Sequence, residues 1–247
     1  MQLTVTLEAA EKILLPVHYG NLLQGAIYAG MENKALSKYL HEVGFGLEKR
    51  RFKLFTFSRL ISPQMRFLKD ERMLEFTPPI NLVICSPINV ILQELGNGLL
   101  RQGKMRLGNR WLKVAQISVG EPLVETTVAQ VVMLSPLTVY STLPAPNGKK
   151  YTYFYSPFEE RFNELVKENL FKKHILVHGG PPLSEEFSIS PLKISDEDFK
   201  ITRYRETIVK GWMGEYELCG DPSLLQIALD AGLGAKNSQG YGCCVLK

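Results

Sequence analysis

His41 is followed closely by a cluster of basic residues, and this combination could carry proton-transfer chemistry on a phosphate. The cluster consists of Lys49, Arg50, Arg51 and Lys53. An imidazole exchanges a proton near neutral pH, and a neighbouring cation stabilises the extra negative charge of a phosphorane. These are the groups that RNA cleavage without a metal ion requires. The alternative is a histidine that only ends a helix, where the helix dipole favours positive charge.

The C-terminal stretch, residues 232–242, combines glycines with a lysine. Gly232, Gly234, Gly240 and Gly242 flank a segment that contains Lys236. Glycines allow close backbone approach to a ligand, and successive N–H groups can form an anion-binding nest beside the lysine. The expected order is helix, loop, strand, the reverse of P-loop and dinucleotide-binding folds. An extended phosphate backbone is therefore the expected ligand, and a glycine-rich hairpin turn is the alternative.

The sequence contains no recognisable metal or cofactor motif. Neither H-E-x-x-H nor a dense Asp/Glu/His cluster occurs, so we expect no metal and no cofactor. Cys85, Cys219, Cys243 and Cys244 lack C-x-x-C spacing and are expected to be buried in a reducing compartment. No run of eighteen apolar residues and no signal-peptide pattern occurs. These features predict a cytoplasmic protein without a membrane segment.

Charge is distributed unevenly along the chain. Residues 1–120 contain sixteen Lys/Arg and nine Asp/Glu, a net charge of +7, whereas residues 121–247 contain thirteen and sixteen, a net charge of −3. A basic half favours a polyanionic partner held by phosphate neutralisation. Lys49, Arg50 and Arg51 are candidate RNA-binding residues on this ground. Charge runs are also common on solvated faces that bind nothing.

The first half of the chain begins and ends with strand patterns and has helical patterns between them. Residues 2–8 alternate like a strand, and residues 21–28 have helical spacing. Residues 33–42 predict a second short helix with Asn33 as its N-cap. Residues 106–119 predict a hairpin or one long strand.

Between these elements we expect two strands and a further helix. Residues 52–60 alternate like a strand, with residues 73–76 as the expected partner. Residues 88–95 predict a helix that Gly96 and Gly98 would end. The resulting β-α-β-β-α-β order is that of a ferredoxin-like domain.

The second half repeats this pattern without a visible sequence repeat. A hairpin is expected over residues 137–155, turning around Pro144, Pro146 and Asn147-Gly148. The remaining predicted elements are strands at 124–134, 187–194, 202–218 and 243–246, and helices from Pro157 and over 221–231. We therefore predict an α+β fold of two tandem ferredoxin-like (RRM-like) βαββαβ domains, residues 1–121 and 122–247.

The chain resembles the CRISPR-associated endoribonucleases of the RAMP superfamily, which process the long repeat-spacer transcript. Residues 232–242 fit that family's signature of two glycine-hydrophobic-glycine units around five residues that include a Lys or Arg. Similarity extends, in order along the chain, to residues 23–28 (LQGAIY), 39–42 (YLHE), 53–58 (KLFTFS) and 134–137 (LSPL).

The resemblance implies a metal-independent cut within the CRISPR repeat RNA, giving a 2′,3′-cyclic phosphate and a 5′-hydroxyl. The family's tyrosine, histidine and lysine fall on Tyr28, His41 and Lys53, with His41 transferring a proton and Lys53 stabilising charge. An insert of about six residues, 46–51, separates the last two blocks, so Arg51 or Lys49 could supply the cation instead. Which of Tyr28 and His41 is the base stays open.

The resemblance also leaves a second class of function, a non-catalytic RAMP-type RNA-binding subunit of a CRISPR effector complex. Retention of Tyr28, His41 and Lys53 together favours the enzyme. The expected partner is CRISPR repeat RNA, and further candidate partners are other effector subunits and a second copy of the chain in a homodimer.

Overall fold

A computed structural model describes residues 1–144 and 148–247. The helices and strands of the first half are, in chain order, β1 (Gln2–Glu8), β2 (Ile13–Pro16), α1 (Gly20–Gly30), α2 (Lys34–Glu42), β3 (Phe45–Leu47), β4 (Arg50–Phe52), β5 (Thr56–Phe57), β6 (Met65–Leu68), β7 (Met73–Phe76), β8 (Ile80–Cys85), α3 (Asn89–Gln102), β9 (Lys104–Leu107) and β10 (Arg110–Gly120).

The second half has fewer strands and a longer helix. Its elements are β11 (Val128–Met133), β12 (Tyr140–Pro144), β13 (Lys150–Phe154), α4 (Glu160–His178), β14 (Phe187–Lys193), β15 (Phe199–Tyr204), β16 (Thr207–Trp212), β17 (Glu215–Gly220), α5 (Pro222–Ala231) and β18 (Cys244–Leu246), with short 3₁₀ turns at Asp196–Asp198 and Asn237–Gln239.

The first half forms an antiparallel sheet with strand order β5-β8-β1-β10-β9. Its central strand β1 alternates, and the buried side chains of Leu3, Val5 and Leu7 belong to a core that also contains Leu23 of α1 and Leu95 of α3. Taken along the chain, β1, α1, β5, β8, α3 and β10 give the order β-α-β-β-α-β. This is the ferredoxin-like arrangement, with β9 added at one edge.

The second half repeats the arrangement in a four-stranded antiparallel sheet of order β14-β17-β11-β18. Here β11, α4, β14, β17, α5 and β18 are the six elements of the β-α-β-β-α-β order. Val166 of α4 and Leu225 of α5 are fully buried with Val131 of β11 in a second core. The predicted α+β fold of two ferredoxin-like units is confirmed.

The strand expected over residues 52–60 is much shorter, and its expected partner is wrong. Only Thr56–Phe57 pairs with the sheet, and it pairs with β8. Met73–Phe76 lies between β2 and β6 in a separate three-stranded sheet. Alternation of apolar and polar residues shows that a segment is a strand, but it does not show which other strand it pairs with.

The helix expected to end at Gly96 and Gly98 continues to Gln102, and Gly103 in the left-handed region ends it. Gly98 lies where α3 crosses the end of α1, and a Cβ there would overlap the Gly30 carbonyl and lie 2.8 Å from the Glu32 amide nitrogen. The glycine therefore permits close helix packing instead of ending the helix.

Three hairpins project from this framework. β3 and β4 pair within residues 45–52, β15 pairs with β16, and β12 pairs with β13. The last of these is the hairpin predicted over residues 137–155, although its expected turn residues Pro146 and Asn147 lie outside the described residues.

The two ferredoxin-like units pack against each other through the ends of the chain. The N-terminal amino group lies 2.6 Å from the Asp230 carboxylate on α5, and Thr56 of β5 donates a hydrogen bond to the Tyr241 carbonyl. Among the described residues no helix is long and apolar enough to cross a membrane.

Candidate active site

Tyr28 is held inside the N-terminal core by α1. Its side chain is 8% exposed, and its ring packs edge-on against Phe55 with centroids 5.7 Å apart. The carbonyl of Tyr28 accepts a hydrogen bond from the Ser37 hydroxyl of α2, which ties α1 to the next helix. Burial, together with nearby Tyr204, raises the pKa of the Tyr28 hydroxyl well above its ordinary value.

His41 lies in the last turn of α2, and the local sequence explains why that helix is placed there. Asn33 is the N-cap, and its side chain accepts a hydrogen bond from the Leu36 amide as predicted. Leu40 is fully buried and anchors the helix, while His41 next to it is exposed. The His41 ring stands perpendicular to the Tyr28 ring, with centroids 5.2 Å apart.

Lys53 approaches the same point from the other side. Its ammonium group donates a hydrogen bond to the His41 carbonyl at 3.0 Å, and its side chain passes over Gly44, where a Cβ would lie 2.8 Å from Lys53 Cδ. Partial burial and the neighbouring Arg51 lower the pKa of Lys53. The structure therefore brings Tyr28, His41 and Lys53 together.

The insert at residues 46–51 does not separate Lys53 from His41, because it folds back on itself. Phe45 pairs with Phe52 at the base of the β3–β4 hairpin, and the intervening residues form its arms and turn. The Arg51 guanidinium lies across Gly46 on the opposite strand, whereas Lys53 contacts His41. This geometry favours Lys53 over Arg51 as the cation beside the histidine.

A cavity of about 710 Å³, which we call the basic cleft, opens beside this group between the two ferredoxin-like units. Its basic lining residues are Arg50, Arg51, Lys53, Lys173 and Lys236. No carboxylate stands among the described residues that line it. The cleft is therefore suited to a polyanion. Lys49, in contrast, is an exposed residue at the hairpin turn and does not line the cleft.

The glycine loop, residues 232–242, follows α5 and precedes β18 in the predicted order of helix, loop and strand. All four predicted glycines, Gly232, Gly234, Gly240 and Gly242, have positive φ, and so does Lys236. They allow the loop to pack tightly rather than to stand open: a Cβ at Gly240 would lie 2.7 Å from the Phe57 ring, and one at Gly234 would lie 2.5 Å from the Thr138 carbonyl.

Many of the loop amides donate hydrogen bonds within the protein, so fewer of them than predicted are free to bind an anion. Five N–H groups donate to main-chain carbonyls, those of residues 233, 235, 239, 240 and 242. The buried Asn237 side chain donates to the carbonyls of Leu233 and Tyr241. These five amides are not available to a phosphate. Lys236, whose ammonium lies 5.1 Å from the Tyr140 ring centroid, supplies the charge where the loop lines the basic cleft.

Two family models match the chain over nearly its whole length. The one described as CRISPR associated protein Cas6, C-terminal, matches residues 120–246, more than half of the chain, and the one described as CRISPR-associated protein Cas6, N-terminal, matches residues 14–118. The chain belongs to the Cas6 family.

Curated relatives carry the same family name. The chain is 28% identical to CRISPR-associated endoribonuclease Cas6 1 of Methanocaldococcus jannaschii, covering 99% of this chain and 92% of the relative. It is 27% identical to CRISPR-associated endoribonuclease Cas6 of Pyrococcus furiosus, covering 92% and 82%. The resemblance to CRISPR RNA-processing RAMP proteins is thereby confirmed.

Solved structures of Cas6 proteins share the fold. A Cas6-related protein of Pyrococcus furiosus superposes with a TM-score of 0.86 at 18% identity, covering 100% of this chain and 98% of that one. A structure titled as an RAMP protein binding different RNA substrates gives 0.84 at 19% identity, covering 100% and 99%. At these identities the likeness concerns the fold alone.

In this Cas6-family chain, a buried lysine that sequence reasoning missed stabilises the glycine loop. Lys173 of α4 is 2% exposed, and its ammonium donates to the carbonyls of Gly232 at 2.6 Å and Gly234 at 3.2 Å. Burial lowers the pKa of Lys173 to about 7. Nothing in the sequence distinguishes Lys173 from its neighbour Lys172, because only the packing of α4 determines which lysine faces inward.

A second unpredicted link joins α1 to the glycine loop. Gln24 donates to the Ser238 carbonyl at 2.5 Å and accepts a hydrogen bond from the Tyr204 hydroxyl of β15. The helix that carries Tyr28 is thus connected to both the loop and the β15–β16 hairpin. The sequence pointed to Gln24 only through its position in the LQGAIY segment, residues 23–28.

Metal ligands do not gather anywhere in the part of the chain that the structure describes. No group of three or more His, Cys, Asp or Glu side chains there is arranged to hold a metal ion. His174, one of the remaining histidines, is instead bonded to the Gly180 carbonyl and the Ser223 hydroxyl.

Proposed function

We propose that this Cas6-family chain is an endoribonuclease that cleaves CRISPR repeat RNA without a metal ion. The observation that supports this most is the meeting of Tyr28, His41 and Lys53 beside a cleft lined by basic residues. The relatives named as endoribonucleases, at 27–28% identity over most of the chain, support the same activity.

The proposed reaction is an attack of a ribose 2′-hydroxyl on the adjacent phosphorus. A base removes the 2′-hydroxyl proton as the new O2′–P bond forms, the P–O5′ bond breaks, and an acid protonates the departing 5′-oxygen. The products are a 2′,3′-cyclic phosphate and a 5′-hydroxyl. Lys53 stabilises the charge that develops on the phosphorane oxygens.

We assign the base role to His41 and the acid role to Tyr28. A buried hydroxyl with a raised pKa stays protonated at neutral pH, so Tyr28 can donate a proton or a hydrogen bond but is a poor base. An imidazole accepts protons in the neutral range. A substrate whose departing 5′-oxygen is replaced by sulfur needs no acid, so Tyr28→Phe should cleave it at close to the wild-type rate, whereas His41→Ala should not. Rescue of His41→Ala by this substrate, with Tyr28→Phe still slow, would reverse the two roles.

We further propose that the RNA backbone lies in the basic cleft, with Arg50, Arg51 and Lys236 neutralising phosphates. Gly232, Gly234, Gly240 and Gly242 act indirectly in this proposal, because they shape the loop that presents Lys236. Lys49 at the hairpin turn would reach only RNA that extends beyond the cleft. We also propose that the boundary between the two domains falls between residues 121 and 122, and the end of β10 at Gly120 supports this.

The test of this function is incubation of the protein with the repeat RNA of its host in EDTA, followed on a sequencing gel. Cleavage in EDTA with a 5′-hydroxyl on the downstream product is expected. A substrate with one 2′-deoxy nucleotide on the 5′ side of the cut should bind and stay whole. Activity that needs added Mg²⁺, or cleavage of the deoxy substrate, would contradict the mechanism. Binding without any cleavage would favour the non-catalytic RAMP subunit.

A further inference from the structure

A second cavity, of about 240 Å³, lies between the two ferredoxin-like units on the other side of the glycine loop. We call it the apolar pocket. Its lining residues from the N-terminal half include His18, Tyr19, Phe57, Arg59 and Phe67, and those from the C-terminal half include Lys200, Ile201, Arg203, Tyr204, Gln239 and Tyr241. The volume is below the range of about 300–1,000 Å³ typical of drug-sized ligands, so it suits one ring system.

The walls of the apolar pocket combine aromatic rings with positive charge. Five aromatic side chains line it, those of Tyr19, Phe57, Phe67, Tyr204 and Tyr241, and three cationic side chains stand among them, those of Arg59, Lys200 and Arg203. Arg203 also forms an ion pair with the exposed Glu206. His18 adds no charge at neutral pH, because burial and the nearby arginines lower its pKa. Its described lining contains no aspartate or glutamate. Aromatic faces stack on bases, and cations attract the phosphates that flank them. This combination matches a nucleotide better than a neutral apolar ligand.

A buried acceptor supplies a further observation. The side-chain oxygen of Gln239 is buried, and no hydrogen-bond partner for it exists among the described residues. Gln239 lines both the apolar pocket and the basic cleft. A buried polar atom without a partner is costly, and amino or imino N–H groups of a base are donors of the kind it needs.

The two cavities are neighbours across a single turn. The 3₁₀ turn Asn237–Gln239 stands between them, and Gln24 holds it in place through the Ser238 carbonyl and bonds to Tyr204 of the pocket wall. An RNA strand crossing this turn can keep its phosphates in the basic cleft while one base turns to the opposite side.

We propose that the apolar pocket binds one unpaired nucleobase of the RNA substrate, stacked on the aromatic wall, with Lys200 and Arg203 facing the flanking phosphates. The proposal rests on the proposed function, because it assumes that RNA occupies the basic cleft. It assigns this part of the protein a role in selecting the RNA sequence or holding its register, separate from the proton transfers at Tyr28 and His41.

The experiment scans the repeat RNA with a single abasic site at each position in turn and measures binding to the full-length protein. Phe67→Ala removes a wall of the pocket at little cost to folding, because Phe67 is 54% exposed. Phe158→Ala, at 67% exposed and outside the pocket, is the matched control. We expect one abasic position that weakens wild-type binding about 5- to 100-fold and has no further effect on Phe67→Ala, while Phe158→Ala behaves like wild type.

Ile201→Ala provides a second, independent change to the pocket wall, also at an exposed residue. It should reduce the effect of the same abasic position and of no other. A scan in which no abasic position couples to either variant, while the wild type still binds and cuts repeat RNA, overturns the pocket proposal and leaves the proposed function standing. A wild type that neither binds nor cuts repeat RNA overturns both.

Discussion

Tyr28, His41 and Lys53 meet through side-chain contacts, whereas the glycine loop is held by its backbone. The three side chains come from α1, α2 and the segment after β4, and a ring contact and one hydrogen bond join them. In the loop, five amides bond to main-chain carbonyls, and Asn237 bonds to two more. A substitution at the first site therefore removes a chemical group, whereas one at the second changes the path of the backbone.

A family signature can therefore reflect either the chemistry of side chains or the packing of the backbone. In the proposed mechanism, the residues of the first site serve through what their side chains do to a phosphate. The glycines of the second are chosen because a Cβ does not fit beside Thr138, Phe57 or the rest of the loop. Lys236 differs from these glycines, since it brings a charged side chain of the loop into the lining of the basic cleft. Single substitutions in the two regions test this division.

His41→Ala should lower the single-turnover cleavage rate at saturating protein by about 10²–10⁴-fold, the usual contribution of general acid–base catalysis. Binding of repeat RNA should change little, because His41 is exposed and does not line the basic cleft. The measurement is the rate constant beside a dissociation constant for each protein.

His178→Ala is the matched control for that variant. His178 is also an exposed histidine in the last turn of a helix, here α4. If the helix dipole were the only reason for a histidine at such a position, the two variants would behave alike. Cleavage by His41→Ala at the wild-type rate would show that the site has been assigned to the wrong residues.

Gly242→Ala should destabilise the fold by about 3 kcal/mol or more, because it combines a strained backbone with overpacking. Gly242 has φ of +74°, and a Cβ there would overlap the Leu233 carbonyl oxygen. Gly179→Ala is the control, since its φ of +78° is similar but nothing lies within 4 Å of the added Cβ. It should cost about 1–2 kcal/mol. Urea denaturation of the three proteins compares them, and equal losses would contradict a packing role for the loop glycine.

The sequence predicted those features that depend on local chemistry or on a complete signature. The Asn33 cap, the order of elements around the glycine loop and the β-α-β-β-α-β order of both units were predicted correctly, since capping side chains and apolar periodicity act over a few residues. Two strand assignments were wrong: β8 takes the place expected for residues 73–76, and the strand expected over residues 202–218 is divided among β15, β16 and β17. The short separation of His41 from the basic cluster that contains Lys53 was visible in the sequence itself, whereas the place of Tyr28 beside them was expected only from the resemblance. The insert at residues 46–51 made the position of Lys53 uncertain in the sequence. The pairing of Phe45 with Phe52 resolves this, because the insert folds into a hairpin and leaves Lys53 beside His41.

Features that depend on which surfaces meet could not be predicted. Gly96 and Gly98 look like helix ends in the sequence, but α3 continues through them because α1 packs closely against it. Lys173 resembles any surface lysine until α4 and α5 are packed together with the loop above them. The partner of Thr56–Phe57 is a strand that lies beyond β6 and β7 in the chain, and short-range alternation carries no information about such pairs.

Lys173→Met should remove a pH dependence of stability that the wild type possesses. The folded protein has a Lys173 pKa of about 7, below the ordinary lysine value of 10.5. Between these two pH values the unfolded chain holds a proton that the folded chain has released, so raising the pH stabilises the wild type. From pH 7.5 to 9.5 the wild type should gain about 1–3 kcal/mol relative to the variant, the upper bound being about 1.4 kcal/mol per pH unit.

Denaturation midpoints at the two pH values measure this gain, and Lys172→Met is the control one position earlier on α4. The buried thiols of Cys243 and Cys244 have raised pKa values in the folded protein, so they lower stability as the pH rises toward 9.5. Wild type and both lysine variants share this contribution, so the difference between them reports Lys173. Parallel pH profiles for wild type and Lys173→Met would mean that the buried ammonium stays charged and that its two carbonyl bonds compensate for burial.

Lys236→Ala should have the smallest effect and should act on binding alone. Removing one phosphate contact is expected to weaken repeat-RNA binding about tenfold at low salt and to reduce the salt slope by about 0.7, the value for one phosphate on a single strand. Lys236→Arg keeps the charge and should keep the slope.

Lys167→Ala is a matched control, since Lys167 also lies over an aromatic ring, at 5.5 Å from the Phe171 centroid, but outside the basic cleft. Because the proposed mechanism assigns both proton transfers to His41 and Tyr28 and none to the glycine loop, single-turnover cleavage at saturating Lys236→Ala should stay near the wild-type rate. A collapse of that rate with binding intact would make the glycine loop part of the chemistry and would erase the division between the two regions.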